Sequence, residues 1–362
     1  MAVQAEQPPQ ESRLTFDVLF GDAPGGEIPG ERQWSPQGDR LAYVWDEGDG
    51  EALWILNVAS GESRRVLPLA ELSLDSYAWA PAGDALLLSA GGDLHWLELG
   101  GAELRRITET EAEEEDPKLS PDGTRVAFVR DFDLHLIDLA TGDERALTTG
   151  GEENVLLNGI TDWVYWEEIW GRDSTGYWWS PDGTKIAYYQ FEEEPVGIYP
   201  LVDHLPVYPE IVSQKYPKAG SDNPRVKVGV LDLGSSTTTW LATGDDPTEY
   251  LARVDWRPAG DRVMVQRLNR DQTRLDLLSC DPGTGECAAL LTETHPTWVN
   301  LGDDHRFLPD GRFIWGSERS GWRHLYLYDA EGKLLRQLTD GDRAVTSLDA
   351  VDAPEGWAVY TI

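Results

Sequence analysis

Cysteine, lysine, long apolar runs and helical periodicity are all scarce in this chain, and each scarcity excludes something. The only two cysteines, Cys280 and Cys287, have six residues between them. That is too few for a zinc knuckle, and no further His or Cys lies nearby to complete a four-ligand set. No stretch approaches the ~18 consecutive apolar residues of a membrane span. The opening MAVQAEQPPQESRL has neither a charged n-region nor an apolar h-region, so no signal peptide is visible and residues 1–13 read as a polar tail. Bases number 30 against 65 acids, a formal net charge of −35. Nucleic acid is therefore an unsuitable partner, because phosphate binding needs a basic stripe. The same charge favours solubility and repulsion from anionic surfaces. Lysine supplies only six of the 30 bases, and such an acidic, lysine-poor composition suggests a salt-adapted or high-GC source. No G-x-S-x-G nucleophile elbow occurs. The near miss RDSTG (Arg172 to Gly176) has arginine where the first glycine belongs, and its serine reads as an ordinary loop residue.

What the chain does have is a repeat. WSPQGDRLAYVW at Trp34 returns as WAPAGDALLLSA at Trp79, LSPDGTRVAFVR at Leu119 and WSPDGTKIAYYQ at Trp179. It returns again as WRPAGDRVMVQR at Trp256, FLPDGRFIWGSE at Phe307 and DAPEGWAVYTI at Asp352. Each copy is an aromatic or apolar residue, a Pro-x-Gly turn and an alternating strand. A second strand of the type DLHLIDL follows, then a turn such as ATGDE and a short strand ending in Leu-Thr (Leu147-Thr148, Leu338-Thr339). Three or four short strands per ~40–50 residues, with an aromatic at a fixed place, is the pattern of β-propeller blades. The expected fold is all-β: about six blades plus the start of a seventh, occupying residues 14–362. The last copy gives one strand before Ile362, so an incomplete ring with an open edge is expected.

The intervals from Leu119 to Trp179 and from Trp179 to Trp256 are longer than the others, and insertions in a propeller project toward partners or substrates. The second holds LVDHLPVYPEIVSQKYPKAGSDNPRVKV, an arm-like segment over about 199–226 rich in Pro and Tyr. The first, over about 160–172, holds Glu167 and Glu168 among Trp163, Tyr165, Trp166 and Trp170. Trp163, Trp166, Glu167 and Trp170 fall at i, i+3, i+4 and i+7, so the pair is expected on a short amphipathic helix with its tryptophans packed inward. On a helical turn the two carboxylates lean toward one point, about 100° apart, as they could not on a strand. Each would attract a cation ~4 Å away with roughly 4 kcal/mol at an effective dielectric of ~20. A peptide's α-ammonium, with a pKa of ~7.7–8.0, fits such a trap. Against this, acid runs are common here (Glu113–Glu115, Glu152–Glu153, Glu192–Glu194), and taken alone each reads as solvated surface. Glycosidic or metal chemistry would also use paired carboxylates. Adjacent acids are poorly placed to flank a glycosidic bond, however, and no clustered His accompanies them, so no metal or cofactor is expected.

Between Cys280 and Cys287 the DPGTGE turn sets the two residues opposite each other across a hairpin, either as a disulfide or as two free thiols.

Asp162-Trp163-Val164-Tyr165-Trp166-Glu167-Glu168 resembles the Asp-Trp-x-Tyr-x-Glu-Glu motif of the dipeptidyl peptidase IV family of serine peptidases. The resemblance runs on through GYWWSPDGTKIAYYQF (Gly176 to Phe191), YPKAGSDNPRVKV (Tyr216 to Val228), THPTWVNL (Thr294 to Leu301) and SERSGWRHLYLYD (Ser317 to Asp329). It implies the family's eight-bladed N-terminal propeller, with Glu167 and Glu168 holding the N-terminus of a peptide substrate. A fixed two-residue unit, often ending in proline, would then reach a serine in a C-terminal α/β-hydrolase domain that this chain does not contain, so the chain alone is expected to be inactive. The resemblance also implies that Cys280 and Cys287 bridge, that the arm serves a homodimer, and that the protein is periplasmic or secreted, with the cytoplasm as the alternative compartment. The family's arginine on the substrate carbonyl is placed by no motif. Arg130 in FVRDFDL, where a strand gives way to a loop, is the candidate, with a plain loop arginine as the alternative. Two other functions compete: a stand-alone propeller scaffold, and the propeller of a related oligopeptidase. Neither needs a trap for an N-terminus.

Overall fold

The computed structural model describes residues 29–101, 103–172 and 174–362, so the expected tail over 1–13 lies outside the described residues. Two compact units are present, one built on the first two sheets and the other on the rest. Sheet 1 comprises Gly30–Trp34, Arg40–Asp46, Glu51–Asn57 and Ser63–Pro68, and sheet 2 comprises Leu74–Trp79, Ala85–Ala90, Asp93–Glu98 and Glu103–Arg106. Sheet 3 follows with Glu115–Leu119, Arg125–Arg130, Asp133–Asp138 and Glu144–Ala146. Sheet 5 holds Tyr250–Trp256, Val263–Leu268, Arg274–Cys280 and Cys287–Thr294, and sheet 6 holds His305–Phe307, Phe313–Ser317, His324–Tyr328 and Leu334–Gln337. Each is an antiparallel meander in sequence order. The last copy of the phrase contributes a hairpin, Ser347–Asp352 with Trp357–Thr361.

The repeated phrase is a turn whose parts are all used. Gly38, Gly123 and Gly183 each donate an N–H to the carbonyl of Ser35, Ser120 and Ser180, at 2.8 Å in every case. Proline sits at the first central position, where its fixed φ suits a type I turn. The glycine that follows adopts φ +69, +72 and +67 in these three copies, which a side chain would resist. The serine hydroxyl accepts the N–H of Arg40, Arg125 or Lys185 at 2.9–3.0 Å. It donates to Asp39, Asp122 or Asp182 at 2.6–2.8 Å. That bond holds the Asp122 and Asp182 carboxyls below their ordinary range.

The fixed aromatic joins one sheet to the next. The indole N–H of Trp79 donates to the Gln33 carbonyl at 3.0 Å, that of Trp179 to Lys118 at 3.2 Å and that of Trp256 to Trp178 at 3.1 Å. Each acceptor is the residue just before the preceding copy of the phrase. The basic residue after the turn covers the same indole from its face, Arg40 over Trp79 at 5.4 Å and Arg125 over Trp179 at 5.6 Å. The Leu-Thr ending ties its strand to the one before it, because the hydroxyls of Thr148 and Thr339 accept the N–H of Leu134 and Leu325 at 2.9 and 3.0 Å.

Sheet 4 departs from the pattern, and it carries the glutamate pair. Its central strand Lys185–Glu192 pairs on one side with Arg225–Asp232, which in turn pairs with Thr237–Trp240. On the other side the first strand is split: Tyr177–Trp179 pairs with Ile186 to Tyr188, and Leu156–Asn158 with Gln190 to Glu192. Tyr189 spans the gap, its carbonyl accepting from Gly159 and its N–H donating to Gly176, both at 2.8 Å. Residues 159–176 therefore leave and rejoin the sheet at one point. A second excursion, the hairpin Ile198–Asp203 with Glu210–Lys215, leaves the same sheet and exposes Leu205, Val207, Tyr208 and Ile211.

Candidate functional site

Within the excursion Gly159–Gly176, a turn opens at Trp163 and continues as a π-helix over Tyr165–Ile169. The α-helical spacing expected from the sequence is thereby corrected. The N–H of Trp166 still donates four residues back, to Asp162, at 2.9 Å, but that of Trp170 donates five back, to Tyr165, at 2.8 Å. A π-turn rotates the positions that α-geometry would stack. The buried residues are Val164 and Tyr165 at 9% and 2% exposure, whereas Trp163, Trp166 and Trp170 are only half-buried. Val164 and Tyr165 thus form the inward face, with Trp163 and Trp170 packed against the edge of the same core.

Three anchors fix the helix. At its start the Asp162 carboxylate accepts the N–H groups of Val164 and Tyr165 at 3.1 and 3.0 Å, capping otherwise orphaned donors. In its middle the Tyr165 hydroxyl accepts the N–H of Leu251 at 2.7 Å, while the Tyr189 hydroxyl donates to the Leu251 carbonyl at 2.5 Å. The strand Tyr250–Trp256 has a bulge between Leu251 and Arg253, so side chains rather than a neighbouring strand take up these groups. At its end the Trp170 indole lies under Arg253, whose guanidinium is 4.3 Å from the ring centroid and donates to Asp303 at 2.6 Å. Aromatic edges complete the floor, with Tyr165 4.7 Å from Phe191 and Trp178 5.0 Å from Tyr189.

Of the two glutamates, Glu167 is half-buried and Glu168 exposed. Glu167 takes the Arg172 guanidinium in a fork, Oε2 from Nε at 2.9 Å and Oε1 from Nη2 at 3.0 Å. Their hydrogen bond raises the Arg172 pKa above its ordinary value. Arg130 lies at the end of its strand in sheet 3, where its guanidinium bridges Glu114 and Glu144 at 2.7 and 2.5 Å. Cys280 and Cys287 face each other across strands of sheet 5 and are joined by a disulfide with Cα atoms 4.0 Å apart.

The two acid triplets are not simply solvated, a second correction, whereas Glu152 and Glu153 are exposed as expected. In each triplet the middle glutamate turns inward, leaving Glu114 at 1% and Glu193 at 5% exposure. Burial, with Asp162 nearby, pushes Glu193 up to about 7 against the opposing pull of Lys215. Burial likewise pushes Asp162 up to about 6 despite its backbone hydrogen bonds. Lys215 is itself buried at the root of the arm, donating to the Val196 carbonyl at 2.9 Å. Next to it Tyr216 packs on Trp163 with ring centroids 4.5 Å apart. Sequence reasoning missed Arg172, Tyr165's hydroxyl, Glu193 and Arg253. Arg172 was within reach, five residues after Glu167 on a helical element. Arg253 was not, because its partners Trp170 and Asp303 come from two distant segments.

Among the described residues no helix is long and apolar enough to cross a membrane. Residues 77–361 match the model of the dipeptidyl peptidase IV (DPP IV) N-terminal region. The dipeptidyl peptidase 4 of Arthroderma otae is 31% identical over 257 residues, covering 67% of this chain and 32% of that protein. A probable dipeptidyl peptidase 4 of Aspergillus flavus is 27% identical and covers 96% of this chain and 49% of its own length. The crystal structure of Porphyromonas gingivalis dipeptidyl peptidase 4 superposes with a TM-score of 0.82 at 26% identity, over 97% of this chain and 52% of that one. The chain thus spans between about a third and a half of the length of these relatives.

Proposed function

Because the chain belongs to the dipeptidyl peptidase IV N-terminal region family and has its propeller fold, we propose that it is the substrate-gating and N-terminus-anchoring part of a serine dipeptidyl peptidase. The observation that carries this reading is the placement of Glu167 and Glu168 on a helix held at three points, in an excursion from the first strand of a sheet. Fixed carboxylates can measure a distance; mobile ones cannot. Glu167 and Glu168 hold the ammonium of the peptide, and the second residue from it is presented to a serine in a C-terminal α/β-hydrolase domain, which releases N-terminal dipeptides, often X-Pro. The exposed apolar tip of the arm, with Leu205 at 95% and Val207 at 93% exposure, supports its use in a homodimer. The Cys280–Cys287 bridge supports a periplasmic or secreted location, where disulfides persist.

The test is binding of a free-amine peptide amide against its N-acetylated form. Glu167→Gln and Glu168→Gln should each lose a large part of the preference, a few kcal/mol of charge-assisted binding. Variants that bind the free amine as well as the native chain would refute the anchoring role.

A further inference from the structure

The Glu167 carboxylate, proposed above to receive a substrate's ammonium, already holds a cation. Arg172 engages both of its oxygens at 2.9 and 3.0 Å. We propose that Arg172 is a resident counter-ion of Glu167, displaced when the N-terminal ammonium of a peptide arrives, and that it thereby sets the affinity threshold of the trap. The inference rests on the anchoring reading of Glu167 and adds to it the species that the substrate must replace.

Two further observations support a side chain retained for this purpose. First, Arg172 has φ +74 directly after Gly171 at φ +65. Glycine or asparagine would adopt that backbone with less strain, and strain at a binding element points to a function of the residue that bears it. The backbone is not free to relax, since the Arg172 N–H closes the helix by donating to the Trp166 carbonyl at 2.6 Å. Second, the contact is built to be given up. The Arg172 side chain is 71% exposed and that of Glu167 27%, and an exposed pair holds its partners weakly. An ammonium lodged between Glu167 and Glu168 would collect two carboxylates where the guanidinium pairs with one. On a chain of net charge −35, an uncompensated glutamate pair would attract any small cation. A tethered arginine keeps the site closed to weak competitors.

The experiment is calorimetric titration of the 362-residue chain with alanyl-proline amide and with its N-acetyl derivative. Arg172→Gly suits the left-handed backbone and Arg172→Gln keeps length without charge. Both should bind the free amine more tightly, by up to about fivefold, the range of an exposed ion pair. The gain should shrink as salt is raised and be absent for the acetylated peptide. Unchanged or weaker binding of the free amine by both variants would overturn the proposal, the weaker result making Arg172 a ligand of the peptide instead. Glu167→Gln separates the two readings. If it abolishes the free-amine preference while the Arg172 variants bind like the native chain, only the counter-ion fails; if it leaves that preference intact, the anchoring role fails and takes the counter-ion with it.

Discussion

Gly176 closes on Gly159 so tightly that a Cβ on Gly176 would lie 2.5 Å from the Gly159 carbonyl carbon. The two glycines are the ends of the excursion that carries Glu167 and Glu168, and backbone cannot give way as a flexible side chain can. Gly176→Ala must therefore part the two ends and stretch their shared hydrogen bonds to Tyr189. We expect a loss of about 1–3 kcal/mol, read as a lower denaturant midpoint. Gly171→Ala, where nothing lies within 4 Å of the added carbon, should incur only the backbone strain of its positive φ.

Tyr165→Phe removes the hydroxyl that receives the Leu251 N–H and leaves that donor buried without its partner. The expected cost is about 1–3 kcal/mol. Hydrogen exchange at the Leu251 amide should quicken relative to neighbouring amides of the same strand. An unchanged exchange rate would mean that the strand, and not the hydroxyl, protects it.

Glu193 and Asp162 make an unusual pH dependence. Folding raises their pKa values to about 7 and about 6, so between pH ~4.5 and ~7 the folded chain holds more protons than the unfolded one. Stability from these groups consequently falls as pH rises through that window and is fully recovered below it. Asp232 and Asp276, held down to about 2, act in the opposite sense, losing their contribution only as the pH falls below ~4. Glu193→Gln should stabilise the chain at pH 8 by up to ~3 kcal/mol and leave it little changed at pH 4.5. Urea midpoints at the two pH values check this, and equal shifts at both would remove the titration argument.

The Cys280–Cys287 bridge closes a short loop, with a sequence separation of 7. Chain-entropy arguments give a loop of that size about 2–3 kcal/mol. Denaturation with and without reductant should differ by no more than this, and Cys280→Ser/Cys287→Ser should match the reduced chain.

The architecture was legible because the phrase around each Ser-Pro-x-Gly turn states its own geometry: a positive-φ glycine, a serine to close the turn, an aromatic to reach the neighbouring sheet. The glutamate pair was legible from its tryptophans, yet the form of its helix was not. A π-turn arises from which backbone acceptor a donor reaches, and side-chain periodicity counted at α-spacing cannot register it. The inward turn of Glu114 and Glu193 was hidden for another reason. A run of three acids looks uniform, while an extended chain sends alternate side chains to opposite faces. Arg253, Asp303 and Trp170 meet only through tertiary packing.

Tyr189 gives both of its backbone groups to the two ends of the excursion, so the hydrogen-bond ladder of sheet 4 runs on as though residues 160–175 were absent. Seen this way the sheet is a socket and the helix a fitting. Length and sequence between Gly159 and Gly176 can change without altering strand register, provided the two glycines remain. New recognition chemistry could be grafted at this one position, provided it keeps the anchors that Tyr165 and Trp170 make to Leu251 and Arg253 of sheet 5.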